Sequence, residues 1–164
     1  MCVELLTDAS LFSLPRREAD MVFRIKPFDE PKAISRRLLH IPYAVYAPVG
    51  FDAAGIREDD RVRTVTIYIA FSQMPDAVWL KRMLPRPSVA FGSKNREVQA
   101  RLCADGAGLA VLPRPLGAAT PGIVPIDLGE APPGRDTFVG YHKDLKRLAR
   151  MRALLDLVVE QLAN

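Results

Sequence analysis

The run Gly106-Ala107-Gly108-Leu109-Ala110-Val111-Leu112-Pro113 constrains the fold of this chain more than any other stretch, because it joins an amphipathic helical segment to a short apolar strand. Asp105-Gly106 supplies residue types that end helices, since glycine adopts the left-handed cap conformation without a Cβ penalty. Residues 109–112 then form a continuous apolar run of strand length. One turn of an α/β unit is thereby specified. A phosphate loop is excluded: Val111 stands where the third glycine of such a loop would fall, and the run precedes a strand instead of following one.

With 164 residues, a chain of this size buries roughly 70% of its unfolded surface, enough for one domain or two small lobes. Hydrophobic residues at 49% and charged residues at 26% exclude disordered and fibrous classes. The fourteen prolines fall mainly between candidate elements, as in a chain with many short connections. No apolar stretch reaches bilayer length. The first residues carry Glu4 and Asp8 and no basic leader, so the sequence predicts a cytoplasmic protein. Cys2 and Cys103 read as two reduced thiols, and His40 and His142 are single and far apart, so neither a metal nor a cofactor is expected.

The net charge of +4 is scattered among 19 acids, and helix-turn-helix, zinc-finger and RNA-binding signatures are missing. The densest basic run is Lys143, Lys146, Arg147, Arg150 and Arg152. It alternates with Leu145, Leu148, Met151, Leu155, Val158, Val159 and Leu162. That spacing predicts one long amphipathic helix from residue 144 to the C-terminus, its basic face in solvent.

Strands are predicted over residues 2–6, 21–25, 43–47, 64–69, 88–91, 109–112, 123–126 and 137–141. Several are unbroken apolar runs, which suits a parallel sheet covered by helices on both faces. Helices are predicted over residues 11–18, 76–83 and 94–104, besides the C-terminal one. Ser93 is the expected N-cap of the third, with Val98 and Leu102 on its buried face. The alternating order implies an α/β fold.

Further pieces add a resemblance: Glu4-Leu5-Leu6-Thr7, Glu18-Ala19-Asp20-Met21-Val22-Phe23-Arg24, Arg37-Leu38-Leu39 followed by Pro42-Tyr43-Ala44-Val45-Tyr46-Ala47, Ser93-Lys94-Asn95, the glycine run, and Gly122-Ile123-Val124-Pro125-Ile126. In order and spacing, over nearly the whole chain, they resemble the effector-binding domain of LysR-type transcriptional regulators. That resemblance implies a two-lobed α/β fold like a type 2 periplasmic-binding protein. Residues 1–47 and 137–164 would form the first lobe and residues 48–136 the second, with crossings near Pro48 and between Pro132 and Phe138. The family's winged helix-turn-helix, and the first strand and helix of its effector domain, have no counterpart in these residues. The first lobe is therefore expected to be truncated, and the strand at residues 2–6 to lack its neighbour.

In open α/β sheets ligands bind beyond the carboxyl ends of strands. Thr7 and Asp8 follow the first predicted strand. Arg24 ends the second, where a guanidinium suits a ligand carboxylate. Phe71, Ser72 and Gln73 follow residues 64–69, and Ser93 and Asn95 open a helix whose free amides attract anions. Ser72, Cys103 and the histidines form no nucleophile and base pattern, so no enzyme is expected. The resemblance implies sensing of a small anionic metabolite in a homo-oligomer, with DNA reached only through a separate N-terminal domain. The alternative is a free-standing solute-binding or decoy module.

Overall fold

The apolar strands of the glycine-run region are buried on both faces because their alternate residues enter two different cores. The computed structural model describes residues 2–7, 13–53, 56, 62–66, 73–84 and 87–162. It divides into one unit of residues 41–134 and another of residues 1–40 with 135–164. In the larger unit, β3 (Tyr43–Pro48), β4 (Arg63–Thr66), β5 (Ser88–Gly92), β6 (Leu109–Pro113) and β7 (Ile123–Ile126) form a sheet in the order β5-β4-β6-β3-β7. Tyr43, Val45, Ala47, Leu109 and Val111 face one cluster, which holds Trp79 and Leu80 of α1 (Pro75–Met83). Ala44, Tyr46, Ala110 and Leu112 face the other, which holds Ala100 and Cys103 of α2 (Arg96–Ala104). Leu116 of the short helix α3 (Arg114–Ala119) packs against that second cluster.

The sheet is mixed, although its unbroken apolar runs suit a parallel one. β4 runs parallel to β5 and β6, giving two successive strand-helix units, while β3 pairs antiparallel with both β6 and β7. Unbroken apolar runs report cover on both faces and say nothing of strand direction.

The glycine run does what its residues dictate. The amide of Gly106 donates to Cys103 O and that of Ala107 to Leu102 O, the paired bonds of a Schellman cap, with Gly106 at φ +79°. Gly108 permits a close approach: a Cβ there would lie 2.5 Å from the carbonyl oxygen of Arg63. The same helix begins later than expected. Its N-cap is Asn95, not Ser93, and its buried residues are Gln99, Ala100 and Cys103, leaving Val98 exposed.

The smaller unit has a three-stranded sheet in the order β1-β8-β2, with β1 (Met21–Arg24) antiparallel to β8 (Arg135–His142) and β2 (Ala33–Ile41) on the other side. Leu14, Val22 and Phe28 form its core with Ala33 and Phe138. Several expectations are corrected here. Residues 2–7 are not a strand but exposed coil, with Leu5 80% accessible, and no described strand pairs with them. Residues 13–18 form a turn, not the end of a helix, with Arg17 in the left-handed region. The strand β2 was missed, since Ser35-Arg36-Arg37 gives it no apolar alternation. The C-terminal helix is broken: a 3-10 turn (Lys143–Arg147) capped by His142 precedes the extended Leu148, and α4 (Ala149–Leu162) starts after it.

The units also meet the chain at different points than expected. Residues 41–47 go with the larger unit, since Tyr43–Pro48 is hydrogen-bonded there on both sides, and residues 135–136 go with the smaller one. Among the described residues, no helix is long and apolar enough to cross a membrane.

Candidate functional site

In the larger unit the carboxyl ends of β4, β5 and β6 converge on one rim. Ser93 donates its amide to Thr66 O at 2.9 Å, fixing the end of β5 to the end of β4. Ser93 is half-buried; Gln73, Lys94, Asn95 and Arg114 are exposed on the segments that leave these strands for helices. Phe71, Ser72 and Asp8 lie outside the described residues.

The first turn of α2 is not the open anion site expected of it. Asn95 Oδ1 accepts from Glu97 N at 2.8 Å and from Val98 N at 3.3 Å, and Ser93 Oγ accepts from Asn95 N at 3.1 Å. These amides are satisfied by side chains of their own loop. Two exposed cationic residues, Lys94 and Arg114, follow the ends of β5 and β6.

A buried polar group beneath the rim escaped the sequence reading. Arg96 donates to Asp76 Oδ2 at 2.6 Å, to Gln99 Oε1 at 2.9 Å and to Val111 O at 3.1 Å, and its guanidinium lies 5.5 Å from the centre of the Tyr43 ring. Gln99 in turn donates to Ser93 O. The first turns of α1 and α2 and the strand β6 are thus joined under the segment that carries Ser93 and Asn95. The only signal for this was an acid just after Pro75 and an arginine just after Asn95, each at a helix start.

In the smaller unit, Arg24 is spent on its own loop. It forms a two-pronged pair with Glu30 at 2.9 and 3.0 Å, donates to Lys26 O and Pro27 O, and stacks 3.8 Å from the centre of the Phe28 ring. Its side chain is 11% exposed, so the expectation of a guanidinium held open for a ligand is corrected. Burial raises the Glu30 carboxyl, but backbone bonds and Arg24 outweigh it and hold that group below its ordinary range. Thr7 is exposed coil.

Cys103 packs in the core, with its thiol 3.4 Å from Tyr46 O and pushed up to about 11 by burial. Among the described residues no three metal-ligating side chains come together.

Residues 3–163 match the LysR substrate binding domain family. Among solved structures, the regulatory domain of CrgA, a LysR-type transcriptional regulator from Neisseria meningitidis, is similar at 18% identity and a TM-score of 0.65, over 91% of this chain and 78% of that one. The chain spans 55% of the longer CrgA structure. The Synechocystis PCC6803 CcmR regulatory domain in complex with 2-PG is similar at 17% identity and a TM-score of 0.64, over 92% and 77% of the two chains. A reduced form of OxyR from N. meningitidis is similar at 22% identity and a TM-score of 0.62, over 91% and 74%. No curated protein matches the chain in sequence.

Proposed function

The chain belongs to the LysR substrate binding domain family, with that family's type 2 periplasmic-binding-protein-like α/β fold, and from this premise we propose that it senses a small anionic metabolite in the cytoplasm as the effector-binding part of a LysR-type transcriptional regulator. The observation that carries the proposal is the rim of the larger unit. Three parallel strands end together there, Ser93 and Asn95 are held in fixed positions, and the exposed Lys94 and Arg114 follow two of the strands in sequence. Convergent strand ends are where open α/β sheets bind ligands. The similar CcmR domain, in complex with 2-PG, supports a small-molecule ligand.

Ser93, Asn95 and Gln73 are the proposed contacts, together with Phe71 and Ser72 of the preceding segment. The family resemblance adds Thr7 and Asp8. Arg24 orders its own loop instead of binding the ligand. The lobes of the family correspond in this reading to the two units, and the protein acts without chemistry of its own: a ligand shifts a conformational equilibrium only by binding one arrangement more tightly. DNA contact belongs to a separate N-terminal domain, and homo-oligomer formation uses the outer face of α2.

Thermal shift with 2-PG, small carboxylates and amino acids tests the reading, since a ligand at a hundredfold its dissociation constant stabilises by about 2.7 kcal/mol. A carboxylate or phosphate should raise the melting temperature of the chain and fail to do so in Ser93→Ala and Arg114→Gln. A panel with no effect would overturn the proposal. In-frame sequence for a winged helix-turn-helix upstream of Met1 distinguishes the regulator from a free-standing solute-binding module.

A further inference from the structure

The chain passes between its two units twice, after His40 and before Arg135. The strands at these passages, β2 and β8, are neighbours in the sheet of the smaller unit. Lys143 N donates to Lys32 O at 2.8 Å at one end of the pair, and His40 reaches Asp136 at the other, so the strands run antiparallel. At the end where the chain leaves the unit, side chains make the tie. Asp136 Oδ1 accepts from Arg37 Nη2 at 2.9 Å and lies 2.8 Å from His40 Nδ1.

The chemistry of the tie fixes its details. The hydrogen bond from His40, against a smaller cost of burial and with help from Arg37, holds the Asp136 carboxyl below its ordinary range. An ionised carboxylate only accepts, so His40 Nδ1 must carry the hydrogen and Nε2 must stand on the far side of the ring. One oxygen of one residue on β8 thus gathers two residues of β2.

We propose that Asp136 is a latch on the double passage, a positioning residue that holds β2 against β8 where the chain crosses. The consequence rests on the sensing reading, in which the two passages transmit ligand binding between units. The latch itself is tested without any ligand. Each exposed ion pair is weak singly, but strand ends open by small local free energies, and hydrogen exchange measures that opening directly.

Asp136→Ala and His40→Ala should raise exchange at the amides of Leu38, Leu39, Thr137 and Phe138 by about threefold or more, while the amides of Leu109–Leu112 keep their protection. His40→Asn, whose side-chain amide stands close to the position of Nδ1, should restore protection, and His40→Gln should not. Unchanged exchange at those four amides in Asp136→Ala overturns the latch. So does an equal rise in β6, or a His40→Asn variant that behaves like His40→Ala. Should Asp136→Ala fail to fold, the comparison of the His40 variants decides alone. Failure of every ligand in the thermal-shift panel leaves this result standing, so the two proposals fail separately.

Discussion

Arg96 and Asp76, the first and second residues of two different helices, meet at 2.6 Å with the Asp76 side chain 3% exposed and that of Arg96 20% exposed. This contact locks α1 to α2 beneath Ser93, and Val111 O adds β6 to the same guanidinium. Removing one partner of a buried pair leaves the other uncompensated, at a cost of about 3 kcal/mol or more. Asp76→Ala should lower unfolding free energy by that amount in urea denaturation. A loss of only a few tenths would show that the pair is solvated.

Asn95, not Ser93, should be the side chain whose loss weakens α2. Asn95→Ala removes the acceptor of two amides and should cost about 1 kcal/mol. Ser93→Ala removes one hydrogen bond in the preceding turn, and its smaller effect in the same thermal denaturation series would identify the cap.

Gly140 lies under the ring of Phe28, where an added Cβ would fall 2.5 Å from ring carbons. Phe28 is 8% exposed and stacked by Arg24, so it has little room to move. Overpacking of this kind costs about 1–3 kcal/mol. Gly140→Ala should therefore destabilise the smaller unit, while Gly50→Ala, with open space around it, should show only the strain of its positive φ.

Acid should weaken the protein through carboxylates held below their ordinary range. The hydrogen bond from Arg82 lowers Glu130, and the hydrogen bond from His40, with help from Arg37, lowers Asp136. A carboxyl depressed in the folded state adds stability above its unfolded pKa, about 4, and that contribution is lost as pH falls through the folded value. Urea midpoints of the wild type should fall between pH 5 and pH 3 more than those of a Glu130→Gln, Asp136→Asn variant. Parallel curves would refute the assignment.

The two thiols should differ sharply in reactivity. Cys2 is exposed, whereas Cys103 is buried with its thiol pushed up to about 11. A thiolate is the reacting species. Iodoacetamide at pH 8 should label Cys2 in the native protein and reach Cys103 only after denaturation.

What this sequence determined by itself is local. Gly106 ends a helix because its backbone accepts the left-handed conformation, and residues 109–112 form a strand because apolar side chains there suit burial on both faces. Those are properties of a few neighbouring residues, and so is each strand-to-helix step in the larger unit. Tertiary structure alone decided the rest. A run such as residues 2–6 has strand composition, yet it forms a strand only where another edge satisfies its amides. A basic residue such as Arg24 looks free in sequence, yet Glu30 and two carbonyls six residues away or fewer consume its donors. Contacts such as Arg96 with Asp76, or His40 with Asp136, join residues 20 and 96 positions apart. Their partners are chosen by sheet order and register, which no local periodicity encodes.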